Sequence, residues 1–272
     1  MSDEKQTSTG NVVGVVTDLV KAVPVYQDAV QPAARELGKG LETVAKAVNM
    51  ALAPLSLLVW GYDKIRAFLE ERVAEKLRGV PPERIQSPSP HVAGPALEAL
   101  GFTGHEESLR ELYANFLASS IDAATAIHAH PGFVDIIKSM APDEAKVMRF
   151  FSTSDTHPVV DVHVNIPGSG YVVASRNLSS IGREAGCQHP GLSATYLDNL
   201  ARLGLIEIPA GVHLTEAGRY EAIEGSDEVA KWKEKLAGTD RTASCERKIV
   251  RLTSFGRQFC LACVIDKQLS ST

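Results

Sequence analysis

Cys260 and Cys263 are the pair of side chains whose spacing points most directly to chemistry. A CxxC spacing is typical of half a structural zinc site, which needs four ligands, or of a redox dithiol in a thioredoxin-like unit. The other zinc candidates, Cys187, Cys245 and His189, are scattered along the chain, and no thioredoxin-like pattern surrounds the pair. Apolar residues flank both thiols, so we expect them to pack as small hydrophobic side chains on a helix.

Two histidine-containing segments offer further metal-ligand types. His128 and His130, with Asp122 and Asp135 nearby, could in principle hold a metal ion. His130 comes just before a proline at a predicted helix end, where a histidine also suits the helix dipole. The run 105–107, His-Glu-Glu, is typical of a polar helix start. We therefore interpret both segments as structural.

Motifs that would identify an enzyme are missing from the sequence. It contains no phosphate-binding glycine loop, HExxH motif, nucleophile elbow or dinucleotide fingerprint. We accordingly predict no catalytic residue, no cofactor, no metal ligand and a function that depends on binding rather than on catalysis.

The overall composition is that of a globular protein. The chain has 272 residues, 44% hydrophobic and 22% charged, and a net charge of −5. That acidic balance argues against strong sequence-independent binding to nucleic acid, which depends on an excess of Lys and Arg. The first ten residues, MSDEKQTSTG, are polar and acidic. They lack the basic segment followed by an apolar run that is typical of a signal peptide. We expect a disordered lead over 1–10, no signal peptide, reduced cysteines and a cytoplasmic location.

Helical periodicity dominates the segment 11–80. Apolar residues recur at intervals of three or four from Leu37 to Leu52 and again from Tyr62 to Leu77. Between them, residues 47–62 carry no charge. A bilayer-spanning helix needs about 20 apolar residues, and this run is shorter and contains Pro54. A buried hairpin is the first interpretation, and a membrane-inserting element remains the alternative. The apolar side chains that would insert are Leu55, Leu57, Leu58 and Trp60.

Five prolines in 80–95 predict an extended connector. Helices are expected at 105–127, at 133–140 and from Pro142, where the proline and two acidic residues suit a helix start.

From about residue 142 the pattern changes. Alternation over 159–166 predicts a strand, Gly168-Ser169-Gly170 a turn, and 177–185 and 193–203 helices. Residues 205–208 should then form a strand that turns at 209–211 into a second strand at 212–214. Two helices leading into a small hairpin are the order of a winged helix-turn-helix.

The candidate recognition helix is poor in groups that read bases. It offers Tyr196, Asn199 and Arg202, but also an aspartate. Five basic side chains nearby could contact phosphates: Arg176, Arg183, Arg247, Lys248 and Arg251. We therefore name Tyr196, Asn199, Arg202 and Lys248 as candidate contacts to nucleic acid or to a protein partner, with nucleic acid the weaker alternative.

Several phrases, occurring in one order, carry a family resemblance. They are VPVYQDAVQPAARELGKGLETVAKAV, APLSLLVWGYDKI, PPERIQSPSPHVAGPALEAL, LRELYANFLASSID, HPGFVDIIKSMAPDEAKVMRFF, LARLGLIEI and RLTSFGRQFCLAC. Together they resemble the abortive infection alpha family of bacterial proteins. Ala141 departs from the serine expected before Pro142, where a hydroxyl would cap the helix. The resemblance implies a bacterial cytoplasmic protein of phage defence, and it brings no catalytic residues.

These observations predict a mainly α protein in two modules. An N-terminal helical bundle at 11–141 is followed by a winged-helix-like α+β module at 142–266 and a tail at 267–272. Three functional hypotheses stay open: an interaction protein that binds a protein partner or a phage-derived trigger, a membrane-active effector, and a DNA-binding regulator. The interaction protein is the preferred one, and homo-oligomerisation and membrane association on activation are compatible with it.

Overall fold

The computed structural model describes residues 61–266. Its helices are α1 (Tyr62–Phe68), α2 (Ala74–Leu77), α3 (Pro90–Thr103), α4 (Glu107–Ile121), α5 (Phe133–Lys138), α6 (Pro142–Phe151), α7 (Ile181–Glu184), α8 (Ser193–Arg202), α9 (Glu221–Glu224), α10 (Asp227–Lys235) and α11 (Ser254–Phe259). The strands are β1 (Thr156–Ile166), β2 (Gly170–Leu178), β3 (Ile206–Glu207) and β4 (Thr242–Leu252). Within this range the fold is α+β.

The amphipathic helix predicted to run from Tyr62 to Leu77 is confirmed. α1 and α2 are joined by one π-helical segment, Leu69–Val73, so that the three elements form a continuous rod. Ile65, Leu69, Val73 and Leu77 are all buried, as their spacing predicted.

The proline-rich stretch is extended only in its middle part, residues 85–89. Pro82–Arg84 forms a 3-10 turn, and α3 begins already at Pro90, where the missing N–H costs nothing. Pro95 lies inside α3. The expectation of an extended connector up to residue 95 was therefore wrong for its last third.

Helix α4 supports the C-terminal end of the described chain. Its apolar face is buried as predicted, and two of its polar side chains point into the protein. Asn115 Nδ2 donates to the Cys263 carbonyl at 3.0 Å, and Ser119 Oγ donates to the Ala262 carbonyl at 3.0 Å. These bonds hold the π-helical segment Cys260–Val264 against α4, and the two CxxC thiols lie buried in the main core.

The four strands form one antiparallel sheet in the order β2-β1-β4-β3. β1 contains the predicted strand 159–166, and the turn at Gly168–Gly170 leads into β2. The helix predicted for 177–185 was wrong in its first part. Residues up to Leu178 belong to β2 and only 181–184 are helical, because pairing with β1 overrides the weak local helix preference.

The predicted hairpin after 205–208 was also wrong. β3 forms at Ile206–Glu207, but its partner is β4, with Ile206 opposite Leu252 and Glu207 opposite Arg251. Residues 212–214 are not a strand. In the chain, α9 and α10 come after β3 and before β4. The reason is burial: Ile206 and Leu252 both enter the main core, whereas Val212 is exposed.

One hydrophobic cluster runs through most of the described chain. It joins residues of α1–α6, such as Phe116 and Phe151, with residues of α8, β4 and α11, such as Leu197, Val250 and Phe259. A smaller cluster of Val160, Tyr220 and Ile223 lies on the other face of the sheet. Apolar packing is thus continuous across residue 142.

No helix in residues 61–266 has both the length and the apolarity that crossing a membrane requires. Leu55, Leu57, Leu58 and Trp60 lie outside the described residues, as do the predicted lead and tail.

Gly256 of α11 tests the contact between this helix and the sheet. A Cβ atom there would overlap the backbone carbonyl of Leu205. Alanine normally stabilises a helix by about 1 kcal/mol relative to glycine. We expect Gly256→Ala instead to lower the free energy of unfolding by about 1–3 kcal/mol, the cost of overpacking a core. Urea denaturation measures this.

Gly94→Ala is the matched control, because Gly94 lies in the helix α3 and a Cβ atom added there would have no neighbouring atom within 4 Å. Equal stability of the two variants would contradict the close approach of α11 to Leu205.

Candidate ligand-binding site

A pocket of about 570 Å³ opens at the junction of five elements. Its walls are the end of β2, helix α7, the loop before α8 with the first turn of α8, and the turn from α9 into α10. Ten of the lining residues carry polar side chains, namely Ser175, Arg176, Asn177, Ser179, Ser180, Arg183, Ser193, Ser226, Asp227 and Glu228. The pocket is therefore a polar cleft rather than an apolar groove.

The charged side chains of the pocket are not paired with one another. Within residues 61–266, no ion pair within 4.0 Å involves Arg176, Arg183, Asp227 or Glu228. The positive groups stand on β2 and α7, and the negative groups on the first turn of α10. Two pairs of opposite charge thus line one cavity without neutralising each other.

The other basic residues named from the sequence behave differently. Arg247 Nε lies 2.6 Å from Glu224 Oε1, Arg251 Nε lies 2.7 Å from Glu207 Oε1, and Lys248 Nζ lies 2.8 Å from Asp161 Oδ1. Of the five basic side chains, only Arg176 and Arg183 keep their guanidinium groups free for a ligand in the part of the chain that the structure describes.

The five serine hydroxyls of the pocket fall into two sets, three with hydrogen-bond partners and two without. Ser180 Oγ donates to Glu184 Oε1, and Ser175 Oγ accepts from Trp232 Nε1. Ser193 Oγ accepts from the Gly182 N–H at 2.8 Å and donates to the Pro190 carbonyl at 3.0 Å, so it closes the wall between α7 and α8. The hydroxyls of Ser179 and Ser226 are buried, and neither has a hydrogen-bond partner among residues 61–266. Ser226 occupies the N-cap position of α10 without its side chain capping the helix.

Asn177 fixes the course of β2 into the pocket. It is buried and has φ 52°, a left-handed conformation that asparagine tolerates better than most residues. Its N–H donates to Asp161 Oδ1 at 2.9 Å, and its Nδ2 donates to Asp198 Oδ1 at 3.1 Å. Lys248 Nζ donates to Asn177 Oδ1 at 3.0 Å. The residue therefore links β1, β4 and α8 directly behind the pocket.

Asp143 anchors the loop before α8, which forms another part of the pocket wall. Its buried carboxylate accepts from the N–H groups of Gln188 and His189 at 2.8 and 2.9 Å, from Tyr196 Oη at 3.0 Å and from Lys146 Nζ at 2.9 Å. Burial alone would raise the pKa of Asp143, but these four bonds outweigh it and hold the pKa well below its usual range. The next two residues in the chain, Pro190 and Gly191, line the pocket.

The candidate contact residues of the sequence prediction are placed mainly in internal interactions. Tyr196 is buried against Asp143, and burial together with that hydrogen bond raises the pKa of Tyr196 to about 12. Asn199 Nδ2 donates to Glu144 Oε2 at 2.7 Å and to the Ser139 carbonyl at 3.0 Å. Arg202 is exposed and donates to Asn199 Oδ1. Lys248 belongs to the Asp161–Asn177 network.

Asp161, His163 and Glu246 were missed in the sequence because they come from two distant strands. Among the described residues, they bring three ligand atoms within 4.8 Å of one another. His163 Nε2 lies 3.3 Å from Glu246 Oε2, and the ring stacks on Tyr171 at 4.1 Å between centroids. Lys248 already ion-pairs with Asp161, so a cation at this cluster would have to displace an ammonium group.

A family model described as abortive infection alpha matches residues 61–263. The chain belongs to this family. The resemblance inferred from the sequence is therefore confirmed, and the match contains the whole pocket.

A solved structure of an uncharacterized protein from the hydrocarbon-degrading marine bacterium Alcanivorax borkumensis SK2 is similar to this chain. It is 25% identical, and the match covers 50% of this chain and 92% of that chain, with a TM-score of 0.35. No curated protein matched.

In this abortive infection alpha protein, the pocket could be foreseen only in part. The sequence prediction selected Arg176 and Arg183 as phosphate contacts, but it assigned them to a DNA-binding surface. The run SRNLSS at 175–180, followed by Arg183, concentrates hydroxyl and guanidinium groups in a short segment. Asp227 and Glu228 lie some fifty positions further on, so no local signal could join them to that run.

Asp143→Asn tests the anchor of the pocket wall. Hydrogen bonds to a charged group contribute about 1.5–3 kcal/mol each, so we expect a loss of about 2 kcal/mol or more at pH 7. Because the folded pKa is depressed, the carboxylate stabilises the protein fully above its unfolded pKa of about 3.9. That stabilisation is lost as the pH falls through the folded pKa. Wild type should therefore lose more stability than the variant between about pH 5 and pH 2.

Asp240→Asn serves as the control, because Asp240 is exposed and has no ion pair among residues 61–266. Denaturant titrations at each pH give the comparison. Parallel pH profiles for wild type and Asp143→Asn would contradict the proposed anchor.

Proposed function

We propose that this abortive infection alpha protein is a non-catalytic phage-defence protein that acts by binding, with the pocket as the site that receives an infection-associated trigger. The observation that carries the proposal is the set of charges in one cavity, two guanidinium and two carboxylate groups, that form no ion pair within residues 61–266. Such groups are ready to bind a ligand without first breaking an internal ion pair. The bound state would then be passed on through contact with a protein partner.

The chemistry of the pocket supports binding over catalysis. Among the described residues, its lining contains no histidine, lysine or cysteine, and none of its five serine hydroxyls is hydrogen-bonded to Asp227 or Glu228, as an activated serine nucleophile would be to its base. Elsewhere in the described chain, burial raises the pKa of Cys187 to about 11 and of Cys260 to about 12, and also raises that of Cys263. Reactive cysteines have lowered pKa values instead.

A winged-helix-like arrangement is part of the proposal for residues 142–266. Its support is the order α6, β1, α7, α8, β3, β4, together with the pairing of β1 with β4 and of β4 with β3. β2 would be an additional edge strand, and α9 and α10 would occupy the place of the wing. We infer a protein-binding or ligand-binding role for this module rather than base reading, since Tyr196, Asn199 and Lys248 are engaged internally.

For the N-terminal part we propose a helical bundle built around α4. Its support is the packing of α1–α5 into one cluster, with Tyr113, Phe116 and Leu117 of α4 fully buried. The membrane-active alternative depends on Leu55, Leu57, Leu58 and Trp60, so its support remains the apolar sequence of that segment. A cytoplasmic location is retained as a proposal.

A phage-dose experiment tests the function in cells. Bacteria carrying wild type should survive infection at low phage dose and collapse at high dose. We expect the double variant Arg176→Ala/Arg183→Ala to lyse at both doses, because the pocket loses both positive groups. Culture density after infection is the measurement, with equal protein abundance confirmed by immunoblot.

Arg78→Ala is the matched control, since Arg78 is exposed, has no ion pair among the described residues and lies outside the pocket. It should protect like wild type. Full protection by the double variant would contradict binding through the pocket as the basis of function.

A further inference from the structure

The pocket contains the recognition groups for a phosphate at one side. Arginine presents several N–H donors in a planar fork and binds phosphate in a bidentate manner. Arg176 and Arg183 come from β2 and α7 and line the same cavity. Ser193 and Ala194 add the first turn of α8, a helix of 10 residues whose N-terminus favours negative charge. An anionic group is thus favoured where β2, α7 and α8 meet.

The first turn of α10, which also lines the pocket, favours hydrogen-bond donors. Asp227 and Glu228 are carboxylates, which accept hydrogen bonds and repel a second anionic group. Neither forms an ion pair within the described chain. A simple anion would satisfy the arginines but would gain nothing from the carboxylates. A ligand that has hydroxyl or amino groups in addition to its phosphate would satisfy both the arginines and the carboxylates.

Two buried hydroxyls add an independent observation. Ser179 Oγ and Ser226 Oγ have no hydrogen-bond partner among residues 61–266, although both residues line the pocket. Leaving a buried hydroxyl unsatisfied costs free energy, and such groups in native proteins need an explanation. A ligand that offers both donors and acceptors would satisfy them. The volume of about 570 Å³ falls in the range of small-molecule sites.

Resting on the proposed function, we propose that the trigger received by the pocket is a small phosphate monoester that also carries hydroxyl or amino donors. Arg176 and Arg183 bind the phosphate, Asp227 and Glu228 accept from the donors, and Ser179 and Ser226 complete the contacts. Nucleoside monophosphates and sugar phosphates share this chemistry, and their relative affinities identify the source.

Calorimetric titration of the purified full chain tests the proposal. The probes are adenosine 5′-monophosphate, glucose 6-phosphate, adenosine and inorganic phosphate. We expect at least one monoester to bind more tightly than inorganic phosphate, and adenosine to bind more weakly than its monophosphate. Replacing either Arg176 or Arg183 by alanine should lower the affinity for the monoester by about tenfold, because one charge-assisted contact is lost. Arg78→Ala should leave the affinity for the monoester unchanged.

The carboxylates give the sharpest discrimination. Asp227→Asn/Glu228→Gln should weaken monoester binding and strengthen binding of inorganic phosphate. The two repulsive charges are removed, and each carboxylate is replaced by a neutral amide that has only one acceptor oxygen for the donors of the monoester. Equal binding of monoester and inorganic phosphate by wild type would overturn the proposal, as would no binding by any probe. Equal weakening by Arg78→Ala would also overturn it.

Serine variants separate a ligand role from a structural one. Ser179→Ala and Ser226→Ala should weaken monoester binding without lowering the melting temperature, because their hydroxyls make no hydrogen bond within residues 61–266. Ser193→Ala should lower the melting temperature, since it loses two internal hydrogen bonds. Unchanged monoester affinity in both Ser179→Ala and Ser226→Ala would contradict the assignment of these hydroxyls.

The two levels of the proposal fail separately. Protection in cells that depends on Arg176 and Arg183, with no monoester binding in solution, would leave pocket-dependent defence standing and overturn the ligand class. Monoester binding that depends on the same arginines, with unaltered protection by the double variant, would keep the ligand site and remove it from phage defence.

Discussion

The buried carboxylate of Asp143 is the constraint on which the C-terminal architecture depends. A charge removed from water is tolerated only when its hydrogen-bonding capacity is satisfied. Asp143 achieves this with two backbone N–H groups from the loop before α8, the hydroxyl of Tyr196 on α8 and the ammonium group of Lys146 on its own helix. α6, the loop and α8 are thereby fixed relative to one another. The position of the pocket wall at Pro190 and Gly191 follows from that arrangement.

A second polar network holds the sheet to the same helix from the other side. Lys248 on β4 and Asp161 on β1 meet Asn177 at the end of β2, and Asn177 reaches Asp198 on α8. The β1–β4 ladder that carries this network pairs residues far apart in the chain, such as Asp161 with Glu246. α8 is consequently fixed on two faces, by Asp143 and by Asn177. The part of the pocket wall formed by β2, the loop before α8 and α8 is therefore held in place by these hydrogen bonds.

Local sequence patterns predicted the elements better than their partners. The spacing of Ile65, Leu69 and Val73 and the alternation in 159–166 report which residues are buried, and these were correctly assigned. Strand pairing is a long-range property, so β3 was paired with the nearest apolar run instead of with β4. The same limit applies to the site. Arg176 and Arg183 could be recognised as phosphate-binding types, but Asp227 and Glu228 enter the pocket only through tertiary structure.

Two of the four buried side-chain atoms that have no hydrogen-bond partner within residues 61–266 lie in the pocket. On α8 and around it, Asn199, Tyr196 and Asn177 are saturated with internal hydrogen bonds. A few residues away, two hydroxyls are buried without partners among residues 61–266, and charges of both signs stay unpaired there in one cavity. Partners for the two buried hydroxyls would stabilise the fold, whereas the four charged side chains are exposed and lose little stability by being unpaired. The two hydroxyls without partners, together with four charged groups that no internal ion pair occupies, are the features on which the proposal of a ligand rests.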